Sequence, residues 1–136
     1  GATAVGATCD VMNLPGYLPM FQNQDMTKLL AGNCATIFGQ DHIIYPPHDA
    51  ASTDMGDVSH IMPVIHPWVG CVHGALHSAD DQLFEEKTAF VKAAQVMAMT
   101  IIDLLCDGAA GLEDLLVDYK PPMTKEEYIT FMDSIK

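Results

Sequence analysis

Towards the end of the chain, Phe90, Val91, Ala94, Met97, Ala98, Ile101, Ile102 and Leu105 recur every three or four positions, with Lys92, Gln95 and Asp103 off the stripe. Only a helix gathers residues of that spacing on one face. The pattern therefore predicts a long amphipathic helix, capped by Asp80 or Asp81 and closed at Gly108. A similar face runs from Gln24 to Phe38 through Met26, Leu29, Leu30, Cys34, Ile37 and Phe38, with Gly39 as its stop. Thr124 and Glu127 have the spacing of a capping box, flanked by Met123 and Tyr128 as a hydrophobic staple. The helix they start would bury Tyr128, Phe131, Met132 and Ile135. A shorter helix from Leu112 to Tyr119 is expected before Pro121-Pro122.

The remaining segments read as strand and loop. Ala2 to Met12 alternates loosely, as a strand does, and Leu14 to Pro19 holds two prolines and a glycine that exclude helix. His42 to Tyr45 has the length of a short strand, ended by Pro46-Pro47, the best boundary in the chain. From His48 to Asp81 lie five of the six histidines among glycine and proline breakers. Ile61 to Val72 is expected to supply short strands, with Trp68 and Val69 buried. The order is β-α-β, a proline joint, then a His-rich loop region and helices, a mixed α/β chain.

With 136 residues the chain is long enough for one core and too short for two ordinary domains. Eighteen acidic residues face six lysines and no arginine, a formal net charge of -12. That excludes a conventional nucleic-acid binder, which needs a basic footprint, and argues against an anionic membrane surface. No uninterrupted apolar run approaches a membrane span, and the first ten residues lack the pattern of a signal peptide. The four scattered cysteines read as reduced thiols, and a cytoplasmic location is the expectation.

The densest polar cluster is Ser52-Thr53-Asp54-Met55-Gly56-Asp57-Val58-Ser59-His60. It reads either as a substrate or metal pocket or as a helix cap followed by a turn. His66, Cys71, His73 and His77 follow, and a third reading is a mononuclear metal sensor using Cys71, His73 and His77. Glu85-Glu86 and Glu126-Glu127 fall in first helical turns, where the helix dipole favours negative charge. No GxSxG, P-loop or GxGxxG is present.

The succession Ser52 to Ser59, Met62-Pro63, Gly74-Ala75-Leu76-His77-Ser78 and a long helix ending Ile102-Asp103-Leu104-Leu105 resembles the carboxy-terminal end of one enzyme family. That family is the aminoacylase and carboxypeptidase G group of two-metal amidohydrolases, in its aminobenzoyl-glutamate hydrolase and N-acyl-amino-acid amidohydrolase branch. The resemblance covers residues 48 to 118 well and 1 to 46 more loosely.

It implies an α/β fold: residues 1–46 as half of a ferredoxin-like lid and dimerisation domain, and 47–136 as the end of a metallopeptidase-type catalytic domain. It implies hydrolysis of N-acyl or aminoacyl amides by two divalent ions, usually zinc, with a small amide or dipeptide-like substrate. On the same footing His77 corresponds to a metal ligand, and Ser52, Thr53 and Asp54 to residues near the substrate. The family's His-x-Asp and Glu-Glu segments have no counterpart here. The chain is thus expected to be an inactive piece of a longer enzyme, self-associating or paired with the missing amino-terminal part. A stand-alone, non-catalytic α/β binding or assembly domain is the other reading of the residues.

Overall fold

The computed structural model describes residues 1–46 and 51–135. Pro47 of the expected joint and the His48-Asp49 pair lie outside the described residues. The architecture corrects the expected fold. About half the chain (52%) is helical, and the only sheet among the described residues has two short strands, so this is neither an α/β metallopeptidase domain nor a ferredoxin-like half-lid. The elements are α1 (Gln24–Phe38), α2 (Met55–Ser59), the antiparallel pair β1 (Val72–His73) and β2 (Gln82–Leu83), α3 (Ala93–Leu116) and α4 (Lys125–Ser134). A π-helical turn over Lys87–Lys92 leads into α3.

The missing strands have a physical cause. Ala2 to Met12 finds no neighbour to complete a ladder; it forms one 3-10 turn over Ala2–Val5 and is otherwise irregular. Of His42 to Tyr45, His42 closes a 3-10 turn over Gln40–His42 and the rest is irregular, and of Ile61 to Val72 only Val72 enters a strand. An isolated strand leaves its amides and carbonyls unbonded and is not stable in water. Trp68 and Val69 are not buried, and Trp68 is 69% exposed.

α1 and α4 start at their local signals. The long helical stretch instead starts at Lys87 after Glu86 rather than at Asp80 or Asp81, and none of Tyr128, Phe131, Met132 and Ile135 is buried. Asn23 caps α1, its Oδ1 accepting from the amides of Asp25 (3.1 Å) and Met26 (2.9 Å). Gly39 ends it at φ 91, a backbone conformation that suits glycine. The α4 capping box closes both ways: Thr124 Oγ1 accepts from the Glu127 amide, and Glu127 Oε2 accepts from the Thr124 amide at 2.7 Å. Near Gly108 the helix breaks as the glycine predicts. Asp107, Gly108 and Ala109 all have positive φ, and the chain resumes as a shorter helical piece to Leu116.

α1 packs along α3, and this contact carries the core. Leu30 and Val96 are the buried apolar residues there, joined by an uncommon share of polar atoms. Asn33 Nδ2 donates to Thr100 Oγ1 (3.1 Å) and to Asp103 Oδ2 (2.7 Å), and Lys92 Nζ lies 5.6 Å from the centre of the Phe38 ring. Thus α3 turns Val96, Thr100 and Asp103 toward α1. The apolar stripe expected to be buried points the other way: Phe90, Met97, Ile101 and Leu105 are 68%, 47%, 52% and 55% exposed. The helical stretch Lys87–Leu116 is long and apolar enough to cross a membrane by length and composition. The uninterrupted-run criterion misses it because Lys92, Gln95 and Asp103 divide the run.

Candidate functional site

Everything expected of Ser52 to His60 depends on α2, a helix of five residues. Short helices do not persist alone, so α2 needs its surroundings. Asp54 is its exposed N-cap and makes no capping hydrogen bond through its side chain. Thr53 Oγ1 accepts weakly from the Met55 amide (3.4 Å) and lies 3.3 Å from Asp54 Oδ1. Ser52 is exposed. The three expected substrate residues therefore form one turn ahead of α2, with Ser52 and Asp54 exposed and Thr53 half-buried.

The residues just after them do the structural work. Asp57 Oδ1 accepts from the Leu18 amide at 2.8 Å, and Ser59 Oγ accepts from the Phe21 amide at 2.9 Å. Ser59 is 1% exposed, and its hydroxyl proton goes to the Gly56 carbonyl at 2.5 Å. His60 Nδ1 reaches the same carbonyl at 2.9 Å, which places its proton on Nδ1. Further on, the Asn23 amide donates to the Val64 carbonyl (2.9 Å) and the His66 amide to Gln22 Oε1 (3.2 Å). An extended segment from Leu18 to Asn23 is thereby fastened along residues 57–66. Gly56 permits the close approach, because a Cβ there would collide with the Leu18 carbonyl.

The same turn holds the carboxy-terminal helix. The Met123 amide donates to the His60 carbonyl at 2.9 Å, and Tyr128 on α4 lies near enough to Asp57 to feel its charge. Burial, then the negative charge of Asp57, push the Tyr128 hydroxyl above the usual tyrosine value. Asp57 and Ser59 are thus junction residues, a role that sequence reasoning did not give them although it named both in the polar cluster. Their only signal was two short polar side chains two positions apart in an otherwise small-residue turn.

His77 sits elsewhere, in the loop joining β1 to β2. It is exposed and left-handed, with φ 63. Gly74, at φ 110, closes that loop, since a Cβ there would come within 2.5 Å of the Asp80 carbonyl oxygen. Ser78 hydrogen-bonds Asp80, and the His73 ring stacks on Phe84 with centroids 4.2 Å apart. His66 lies 5.9 Å from Trp68, its Nδ1 buried without a hydrogen-bond partner.

Among the described residues no three His, Cys, Asp or Glu side chains converge in a way that could hold a metal ion. Cys71, His73 and His77, the residues of the alternative sensor reading, form no such group in this structure. Of the ligands implied by the resemblance only His77 lies in this chain, so no chemical step is routed through zinc here. Nor is there an activated thiol in the core: burial raises the Cys34 thiol above its ordinary value, which disfavours the nucleophilic thiolate. A cleft of about 260 Å³ is lined by Phe21, Gln22, Asn23, Asp25, Tyr119 and Lys120, and by none of Ser52, Thr53, Asp54 or His77. No family model, curated protein or solved structure matches the chain.

Proposed function

We propose that this chain is part of a zinc-dependent amidohydrolase that cleaves N-acyl or aminoacyl amides, and that it is inactive by itself. The observation carrying this reading is the order of pieces Ser52 to Ser59, Met62-Pro63, Gly74 to Ser78 and Ile102 to Leu105, which resembles the end of the aminoacylase and carboxypeptidase G family. Two features of the structure are compatible with it. His77 stands on an exposed, glycine-closed loop, where it can reach an ion held by other residues. Ser52 and Asp54 are exposed, with Thr53 half-buried between them, in a turn beside the hydrogen-bonded junction, able to face a substrate that the chain does not enclose. In this reading His77 supplies one ligand, the other ligands and the general base come from further polypeptide, and the location is cytoplasmic.

The test uses the product of the complete reading frame that encodes the chain. It should bind two zinc ions and release free amino acid from N-acyl substrates, and His77→Ala should lower both the zinc content and the turnover. A product that binds no zinc and hydrolyses no amide refutes the reading. The isolated chain should bind zinc weakly, with His77→Ala reducing it. Tight stoichiometric binding abolished by Cys71→Ala would instead reveal a mononuclear sensor.

A further inference from the structure

We infer that the outward face of α3, built by Phe90, Ala94, Met97, Ala98, Ile101 and Leu105, is an interior surface covered by a further polypeptide layer of the same enzyme. The inference rests on the amidohydrolase reading for the identity of that layer and on the structure for its existence. Among the described residues α3 is packed chiefly on one side, against α1. Its inner face meets α1 through Val96, Thr100 and Asp103, with Asn33 bonded to the last two. Its opposite face carries no charged residue from Phe90 to Leu105, about 22 Å of helix, and is the more apolar of the two. A helix facing water has the reverse arrangement, and one that is apolar on its free side is a helix between two layers.

The size of the exposed surface selects the occupant. The chain exposes 10315 Å². A self-contained protein of its 14.7 kDa exposes about 6,900 Å², so the excess is about 3,400 Å². Obligate homodimers commonly remove about 1,000–2,500 Å² from each subunit, and only the largest reach this excess. The exposed apolar residues also spread beyond α3, to Val11, Leu14, Trp68 and Val117, farther than one two-fold contact through a single helix accounts for. A second copy would bring another net charge of -12 to the contact, whereas a neutral or basic partner meets no such repulsion. A bilayer fits poorly, because α3 is broken at Cys106–Ala109 and its α1-facing side is tied into a polar network. The partner is therefore a large, apolar, non-acidic polypeptide surface.

The experiment compares the Met97→Glu/Ile101→Glu double variant in the isolated chain and in the complete reading-frame product. In the isolated chain the melting temperature should move by less than about 2 °C, because both residues face water. In the complete product it should fall by roughly 10 °C, or the soluble yield should collapse, because two charges would be buried unpaired. Val96→Glu, on the α1 side, should unfold both and serves as the positive control. Equal tolerance of the two glutamates in both proteins overturns the inference, as does a reading frame that encodes only these residues. A discrete dimer of the isolated chain that the double variant splits assigns the face to a second copy. Loss of binding to phosphatidylcholine/phosphatidylglycerol vesicles in the double variant assigns it to lipid. A complete product that hydrolyses amides yet tolerates both glutamates refutes this inference alone. One that loses stability without hydrolysing amides keeps the layer and refutes the amidohydrolase reading.

Discussion

Replacing Gly56 with alanine tests the junction directly, and Gly32→Ala provides the opposite sign in the same protein. Gly32 lies within α1 with open space where a Cβ would go, so alanine there should stabilise by about 0.5–1 kcal/mol through helix propensity. At Gly56 the added carbon overlaps the Leu18 carbonyl, and the extended segment has to retreat by about 1 Å or more. That retreat costs the Leu18–Asp57 bond, to a charged acceptor and thus about 1.5–3 kcal/mol, and the Phe21–Ser59 bond, about 1 kcal/mol. Subtracting the gain in helix propensity leaves a net loss of roughly 2–3 kcal/mol for Gly56→Ala. For a chain of this size the melting temperature should fall by roughly 10 °C, while Gly32→Ala raises it by a few degrees. Circular dichroism at 222 nm during thermal and urea unfolding reads both. If Gly56→Ala proves as stable as Gly32→Ala, the close approach and the bonds hung on it do not describe the molecule.

Asn33→Leu removes both bonds to α3 and should cost about 2–3 kcal/mol in urea unfolding. Asn33→Asp would set two carboxylates against each other at the Asp103 contact, so its penalty should be larger at pH 7 than at pH 4. The Thr124 amide, then its hydroxyl, hold the Glu127 carboxyl below the usual range. A lowered folded pKa gives stability that is present above the unfolded value and lost as pH falls through the folded one, so α4 should fray as pH falls below the ordinary glutamate range. Glu127→Gln should flatten that acid limb while keeping the helix, as far-ultraviolet circular dichroism during acid titration will show. For Tyr128 the sign is reversed. Its raised value means stability held below the ordinary tyrosine pKa and lost as pH rises through the folded one, and Asp57→Asn should lower its titration in ultraviolet difference spectra.

What could be read from the sequence was what neighbouring residues decide. α1 occupies the span its spacing predicts, with Gly39 at its end, and α4 starts at the Thr124–Glu127 box. Both signals are local and survive any tertiary context. The orientation of α3 was not legible. The stripe from Phe90 to Leu105 is apolar, but which face meets α1 depends on Asn33, sixty-seven residues from Thr100. The strands failed for a similar reason: alternation gives a segment two faces but not a partner, and Ala2 to Met12 has none among the described residues. At the candidate site the polar turn was visible and its roles were not. Ser52, Thr53 and Asp54 looked like the chemistry, whereas Asp57 and Ser59 bind the backbone of Leu18 and Phe21, thirty-nine and thirty-eight residues away.

The pairing of α2 with the Leu18–Asn23 segment has a kinetic consequence. Neither partner holds a conformation alone: α2 has too few residues to propagate, and the segment has no internal ladder. Each becomes ordered only when the other is in place, so they open and close as one unit. The amides of Leu18 and Phe21 should then exchange with deuterium at the same opening frequency as those within α2, although the chain between them contains all of α1. Hydrogen exchange would see two distant stretches of sequence behave as a single element.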